Sequence, residues 1–239
     1  MDDPGSTIRN PQFPIPNPRA GPRVVPVDPA APEAAAVAAA VASLRGGGLV
    51  AFPTDTLYAL AADPFQPRAL ERVFRAKGRV AAKAISLLVA DEAMARQLAA
   101  RIPPPARALM ERFWPGALTL ILPPRPGLPE ALVPPGGGIG LRAPKGALPR
   151  AILDGMGGPV VGTSANPAGG PEPRDAATVL RGVGAHLALL LDGGPTTLGK
   201  PSTVLDCTVH PPRILRAGAV TLAAIQAILP GVTIDGPLG

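Results

Sequence analysis

Apolar and polar positions fall into alternating blocks from about residue 33 onward, and these blocks predict helices and strands in turn. The alanine-rich block over 33–45 is typical of a helix, and three glycines separate it from an apolar block over 49–52 that predicts a buried strand. Pro67 suits the first turn of a second helix, which Gly78 ends. This alternation of helical and strand patterns indicates a layered α/β or α+β fold.

The same rhythm continues to about residue 229. Asp91 is a plausible N-cap for a helix to Arg101. Other helices are predicted over 106–114, 148–155 and 222–229, and strands over 85–89, 118–122, 140–142, 160–162, 187–191, 203–206 and 213–215. Nine prolines in the first 32 residues predict an extended, mostly disordered tail over 1–33. We therefore expect one domain over 34–229 and a short loose tail over 230–239.

Composition places the chain among globular proteins. Of 239 residues, 46% are hydrophobic and 17% are charged, which supplies a core and excludes a fully disordered chain. The longest apolar block, over 34–44, is shorter than the roughly 20 residues of a membrane span, and we expect no membrane segment or secretory signal. Cys207 is the single cysteine and cannot form an internal disulfide, so a cytoplasmic location is predicted.

The charge balance favours anionic partners without identifying one. The chain carries 23 Lys and Arg against 17 Asp and Glu, a net charge of +6. Nucleotides and RNA are anions of the expected kind. The arginines are scattered singly, however, and an ordinary solvated surface explains the excess equally well.

Two candidate segments lie in the first half of the chain. Residues 53–58 follow a predicted strand, where Thr and Asp side chains bind a ligand or simply close their own turn, and Tyr58 is more typical of the core. Lys77, Arg79 and Lys83 place three cations where a helix ends. They complement the helix dipole, or they bind a polyphosphate or carboxylate.

Two further segments lie in the second half. Arg142 and the triplet 164–166 are flanked by glycines that let a ligand approach the backbone. Segments 202–206 and 213–218 follow a stretch, 194–200, that resembles a phosphate-binding P-loop. We reject a P-loop because Pro201 replaces the metal-binding Ser or Thr and a strand pattern follows. His186 and His210 have no partner at metal-ligand spacing, so no zinc site is expected.

Taken together and in this order, the segments resemble the YrdC/Sua5 family of L-threonylcarbamoyladenylate synthases. The resemblance covers about residues 34–229 and implies an α/β fold with a twisted mixed sheet, flanking helices and a concave basic ligand cleft. It implies a single YrdC-like domain without the C-terminal Sua5 domain of the longer branch. The segments that carry it are 53–58, 77–79, 114–119, 142–144, 164–166, 202–206 and 213–216.

The resemblance also implies a reaction and a set of site residues. L-threonine, bicarbonate and ATP, with Mg²⁺, would give threonylcarbamoyl-AMP and pyrophosphate for N6-threonylcarbamoyladenosine formation in tRNA. A tRNA threonylcarbamoyl transferase would receive the product, and tRNA or RNA would touch the basic face. By resemblance the threonine contacts are Thr56, Arg142, Ser164 and Ser202, the ATP contacts are Arg79, Lys83, Asn166 and Arg216, and the catalytic residues are Lys77 and Arg79.

Several positions depart from the family pattern. Val80 stands where the family usually has proline, Ala59 where it has glycine, and Leu88 where the longer branch carries a histidine; residues 84–85 replace a Pro-Leu pair. These departures leave open a sister-branch ATP-dependent nucleotidyltransferase with a different acceptor. The net charge of +6 leaves open a second alternative, a YrdC-like RNA-binding module without turnover.

Overall fold

The computed structural model describes residues 21–78, 85–134 and 136–234. In these ranges the helices are α1 (Ala34–Arg45), α2 (Pro67–Lys77), α3 (Glu92–Leu98), α4 (Pro104–Phe113), α5 (Ala147–Met156), α6 (Ala176–Val183) and α7 (Leu222–Gln226). The strands are β1 (Arg23–Pro26), β2 (Val50–Pro53), β3 (Tyr58–Ala61), β4 (Leu87–Leu88), β5 (Leu118–Leu122), β6 (Ile139–Arg142), β7 (Val160–Val161), β8 (Thr163–Ser164), β9 (Leu189–Asp192), β10 (Thr203–Asp206), β11 (Arg213–Arg216) and β12 (Thr233–Ile234).

The strands form two sheets. One has the order β1-β9-β2-β3-β8 and the other the order β12-β11-β10-β5-β6-β4-β7. Both are mixed, because β2 pairs in parallel with β9 and antiparallel with β3, while β10 pairs in parallel with β5 and antiparallel with β11. The predicted α/β fold with mixed pairing and flanking helices is confirmed. The sequence predicts one sheet, however, and the strands divide between two.

Strand β2 shows how the five-stranded sheet separates two cores. Leu49 and Ala51 belong to a core that also holds buried residues of β5 and β6, whereas Val50 and Phe52 belong to a second core with α1 and α5. Successive side chains of a strand point to opposite faces, so one strand can serve both cores. This explains why the segment is apolar without a break.

Both predicted tails are wrong in part. Residues 1–33 were expected to be an extended tail, yet Arg23–Pro26 forms β1 and pairs in parallel with β9. Pro26 is tolerated there because β1 is an edge strand. The tail over 230–239 likewise includes β12, which pairs with β11. Residues 1–20 and 235–239 lie outside the described residues.

Local signals place several helix ends correctly. Helix α2 starts at Pro67 and stops at Gly78, whose φ of 60° is the left-handed conformation that favours glycine. Asp91 caps α3 by accepting from the Met94 N–H at 3.0 Å. That helix ends at Leu98, earlier than the predicted Arg101. No helix within the described ranges combines the length and apolarity needed to cross a lipid bilayer.

Candidate active site

A cavity of about 540 Å³ is lined by residues from both sheets. Every predicted site residue in the described part of the chain lines it, namely Thr56, Lys77, Arg142, Ser164, Asn166, Ser202 and Arg216. These residues come from segments up to 160 positions apart, which the fold brings to one place. Arg79 and Lys83 lie outside the described residues, as do Val80 and Ala84. The ligand that each residue contacts stays a prediction.

The turn between β2 and β3 combines a local and a long-range role. The Thr54 hydroxyl donates to the Leu57 carbonyl at 2.7 Å and accepts from the Thr56 N–H at 3.3 Å, so it closes the turn locally. The Thr56 hydroxyl instead accepts from Arg142 Nη1 at 2.7 Å. Thr54 therefore closes its own turn, as one interpretation of this segment predicts, and a ligand contact at Thr56 stays a prediction.

Arg142 ends strand β6 and is held by three parts of the chain. Its Nε donates to the Gly116 carbonyl at 2.9 Å, its Nη1 donates to Thr56, and its Nη2 forms an ion pair with Asp55. Arg142 is only 7% exposed. Burial lowers the pKa of Arg142, and the Asp55 carboxylate opposes that shift. Because the charge is paired and hydrogen-bonded, the buried guanidinium is tolerated.

Lys77, the last residue of α2, holds the segment that follows β8. Its Nζ donates to the Ser164 carbonyl at 2.7 Å and to Asn166 Oδ1 at 3.0 Å, and it lies 3.3 Å from Ser164 Oγ. Asn166 Nδ2 donates to the carbonyls of Gly170 and Pro171 at 2.9 and 3.0 Å. Lys77 is 4% exposed, so a buried ammonium orders the backbone on this side of the cavity.

Ser202 lies between two other polar residues of the seven-stranded sheet. Its hydroxyl is 2.8 Å from that of Thr119 on β5 and 3.1 Å from Arg216 Nη2. Arg216 Nη2 also donates to the Ser202 carbonyl at 2.7 Å. Arg216 is exposed as a residue, but its guanidinium lies among protein atoms; this burial lowers its pKa, and Glu172 opposes the shift.

The charged side chains that line the described part of the cavity are Lys77, Arg142 and Arg216. Arg142 is offset by Asp55, which lies behind it rather than in the lining. The predicted basic character of the cleft also depends on Arg79 and Lys83, and it stays a prediction. Among the described residues no group of three or more His, Cys, Asp and Glu could hold a metal ion.

Sequence reasoning gave no role to three residues that shape this cavity. Asp55 pairs with Arg142, and Thr119 pairs with Ser202. Leu88 packs so closely on Gly162 that a Cβ there would lie 2.3 Å from Leu88 Cγ, so only glycine fits. Two of the three could have been noticed in the sequence, because Leu88 departs from the family pattern and Thr119 lies in segment 114–119, which carries the resemblance. The sequence around Asp55 shows only the pattern of a turn.

Tyr58 belongs to the core, as predicted. It is fully buried, and its hydroxyl donates to the Gly194 carbonyl at 2.7 Å and accepts from the Gly193 N–H at 3.2 Å. Burial and the nearby Asp192 raise the pKa of Tyr58. The tyrosine thereby ties β3 to the segment that leads toward Ser202.

Comparisons with known proteins identify relatives along most of the chain. A sequence profile of the Sua5/YciO/YrdC family, described as "Telomere recombination", matches residues 42–218. The threonylcarbamoyl-AMP synthase of Bacillus subtilis (strain 168) is 38% identical over 200 residues, which cover 83% of this chain and 58% of that protein. The threonylcarbamoyl-AMP synthase of Thiobacillus denitrificans is 36% identical, over 74% of this chain and 92% of that protein.

The fold agrees with a solved structure of the same group. The structure of P. abyssi Sua5 complexed with L-threonine superposes with a TM-score of 0.85 at 33% identity, over 89% of this chain and 62% of that chain. The chain thus spans somewhat less than two thirds of the B. subtilis and P. abyssi proteins. The profile match over most of the chain shows that it belongs to the Sua5/YciO/YrdC family.

Proposed function

We propose that the protein is an L-threonylcarbamoyladenylate synthase, which makes threonylcarbamoyl-AMP and pyrophosphate from L-threonine, bicarbonate and ATP. The observation that carries this proposal is the single cavity in which hydroxyl groups and cations from distant segments meet. The names of the B. subtilis and T. denitrificans relatives support it, as does the threonine complex of P. abyssi Sua5.

The amino-acid substrate would bind near Arg142. An arginine fork is suited to a carboxylate because it offers parallel N–H donors. Arg142 is fixed by its contacts with the protein, so little side-chain entropy is lost when a ligand binds. The hydroxyls of Thr56, Ser164 and Ser202 line the same cavity and can hydrogen-bond the ammonium and hydroxyl groups of threonine.

The nucleotide would bind toward Lys77 and Arg216. Both cations line the cavity, and we propose that they offset the charge that develops on the departing pyrophosphate. Asn166 would contribute there too, together with Arg79 and Lys83. Magnesium would enter as part of the Mg–ATP substrate, and no protein ligand is proposed for it.

The reaction would proceed without a covalent enzyme intermediate. The threonine amine attacks the carbon of bicarbonate, and loss of water gives a carbamate. A carbamate oxygen then attacks the α-phosphorus in line, the bond to the β-phosphate oxygen breaks, and pyrophosphate leaves. The protein would hold the two substrates in position and neutralise charge. Lys77 suits this role because its ammonium already lies at the cavity wall.

Release of pyrophosphate tests the proposal directly. We expect release that requires ATP, L-threonine and bicarbonate together. Serine, which lacks the methyl group of threonine, and alanine, which lacks both the methyl and the hydroxyl group, serve as comparison amino acids. Pyrophosphate release that does not depend on bicarbonate, or that is equal with all three amino acids, would contradict the assignment. Salt-sensitive RNA binding without turnover would instead support the binding-module alternative.

Activity with a different amino acid and none with threonine would favour the sister-branch alternative. Leu88, which departs from the family pattern and lines the cavity, is the structural reason to consider it. Delivery of the product to a tRNA threonylcarbamoyl transferase, contact with tRNA and a cytoplasmic location are parts of the same proposal.

A further inference from the structure

Asp55 and Arg142 form a nearly buried ion pair at one end of the cavity. Their side chains are 11% and 8% exposed. Asp55 is itself fixed from two further segments, since its Oδ1 accepts from the Lys145 N–H at 3.2 Å and its carbonyl accepts from the Leu198 N–H at 3.0 Å. The carboxylate is therefore a rigid part of the site rather than a mobile surface group.

The contacts of Arg142 leave two N–H donors with which it can bind a carboxylate. A guanidinium carries five N–H donors. Three are used by Gly116, Thr56 and Asp55, which leaves one on each terminal nitrogen beyond these contacts. Two donors on neighbouring nitrogens can bind one carboxylate in a bidentate manner.

The charge of the pair matters as much as its shape. Asp55 cancels the charge of Arg142 locally, so this end of the cavity attracts a polyphosphate weakly. A free amino acid is a zwitterion with one carboxylate, and it needs donors more than a net positive field. Arg216 has no such direct ion pair among its described contacts, where Glu172 acts only at longer range.

We propose that Asp55 is a positioning and specificity residue: it orients and neutralises Arg142, reserving this end of the cavity for the carboxylate of the amino acid and directing phosphate groups toward Lys77 and Arg216. The inference rests on the proposed function, because it takes an amino acid and a nucleotide as the two ligands. It assigns a specific role to a residue whose segment the sequence left open between binding a ligand and closing its own turn.

The test is the variant Asp55→Asn, with Asp154→Asn as matched control, because Asp154 forms an exposed ion pair with Arg150 away from the cavity. Binding of L-threonine and of ATP is measured separately by calorimetry, after thermal melting confirms that the variant is folded. We expect threonine binding to weaken by about tenfold or more and ATP binding to change by less than about twofold. The control should match the wild type.

A second readout separates charge from shape. Removing the Asp55 charge leaves Arg142 positive, so inorganic phosphate should inhibit Asp55→Asn competitively with threonine and inhibit the wild type much less. Asp55→Glu keeps the charge and should lose threonine affinity without gaining phosphate inhibition. This variant also provides the test should Asp55→Asn not fold.

Each other result would overturn the inference. Unchanged threonine binding in folded Asp55→Asn would remove Asp55 from the site, and equal losses for threonine and ATP would indicate general damage. Phosphate inhibition of Asp55→Glu would contradict the charge argument. If the wild type itself neither binds threonine nor releases pyrophosphate, the proposed function is wrong. That result is measured without any substitution, so it is distinct from a failure of the inference about Asp55.

Discussion

Arg142 and Arg216, the arginines that line the described part of the cavity, differ in how the protein holds them. Arg142 is 7% exposed, and a carboxylate, a hydroxyl and a carbonyl surround its guanidinium. Arg216 lies on β11 near the edge of the seven-stranded sheet, is exposed as a residue, and donates to Ser202. Both guanidinium groups lie among protein atoms, but within the described ranges only that of Arg142 is paired with a carboxylate.

This difference predicts that the two arginines contribute differently to the stability of the fold and to turnover. A buried charge that loses its ion-pair partner costs several kcal/mol, whereas removing a charge that has no ion-pair partner leaves no carboxylate uncompensated. We therefore expect substitutions at Arg142 to affect both the unfolding free energy and turnover, and substitutions at Arg216 to affect turnover alone. Three predictions test this contrast.

The largest effect is expected for Arg142→Ala. The variant leaves the Asp55 carboxylate buried without its cation, so the unfolding free energy should fall by about 3 kcal/mol or more. Threonine-dependent pyrophosphate release should fall by at least about a thousandfold. Urea unfolding and the release assay measure the two quantities. The double variant Asp55→Asn/Arg142→Met should regain part of the stability and none of the turnover; equal recovery of both would contradict the role of Arg142.

Arg216→Ala should sharpen the contrast. Because no carboxylate lies within ion-pair distance of Arg216 among the described residues, its removal strands no buried negative charge, and the unfolding free energy should change by less than about 1 kcal/mol. Loss of a cation beside the nucleotide should lower turnover by about a hundredfold. Arg101→Ala is the control, since Arg101 is an exposed arginine that does not line the cavity. A fall in stability as large as that of Arg142→Ala would break the comparison.

The smallest effect concerns the wall beside Arg142. Leu88 pairs in register with Arg142, and Leu88 Cγ would lie 2.3 Å from a Cβ at position 162. Gly162→Ala should therefore lower the unfolding free energy by about 1–3 kcal/mol. Leu88→Ala relieves the clash, so it should cost less stability in the Gly162→Ala background than in the wild type. Gly158→Ala is the control because no heavy atom lies within 4 Å of its Cβ position; equal destabilisation there would contradict the explanation.

Local chemistry made several elements predictable. Pro67 and Gly78 mark the ends of α2, because proline lacks the N–H that a first turn does not use and glycine adopts a positive φ. The branched residues of 203–206 gave β10 directly. The site segments were found because their residue types match a family pattern, and all seven predicted site residues within the described ranges line one cavity.

The missed features depend on partners far along the chain. β1 has only four residues and lies among prolines, and its pairing with β9 spans about 166 positions. β8 has only two residues, and it pairs with β3, about 105 positions earlier in the chain. Asp55 resembled a turn residue because nothing near it in the sequence announces Arg142, 87 positions later. Such pairings arise from topology, which local patterns do not encode.

The position of β1 predicts how an N-terminal truncation would behave. A chain starting at residue 34 would keep every cavity-lining side chain yet uncover β9, whose backbone N–H and C=O groups bond to β1 in the intact sheet. An apolar strand uncovered in this way is a template for self-association. Poor solubility of such a fragment would therefore reflect a lost neighbour rather than a defective catalytic centre.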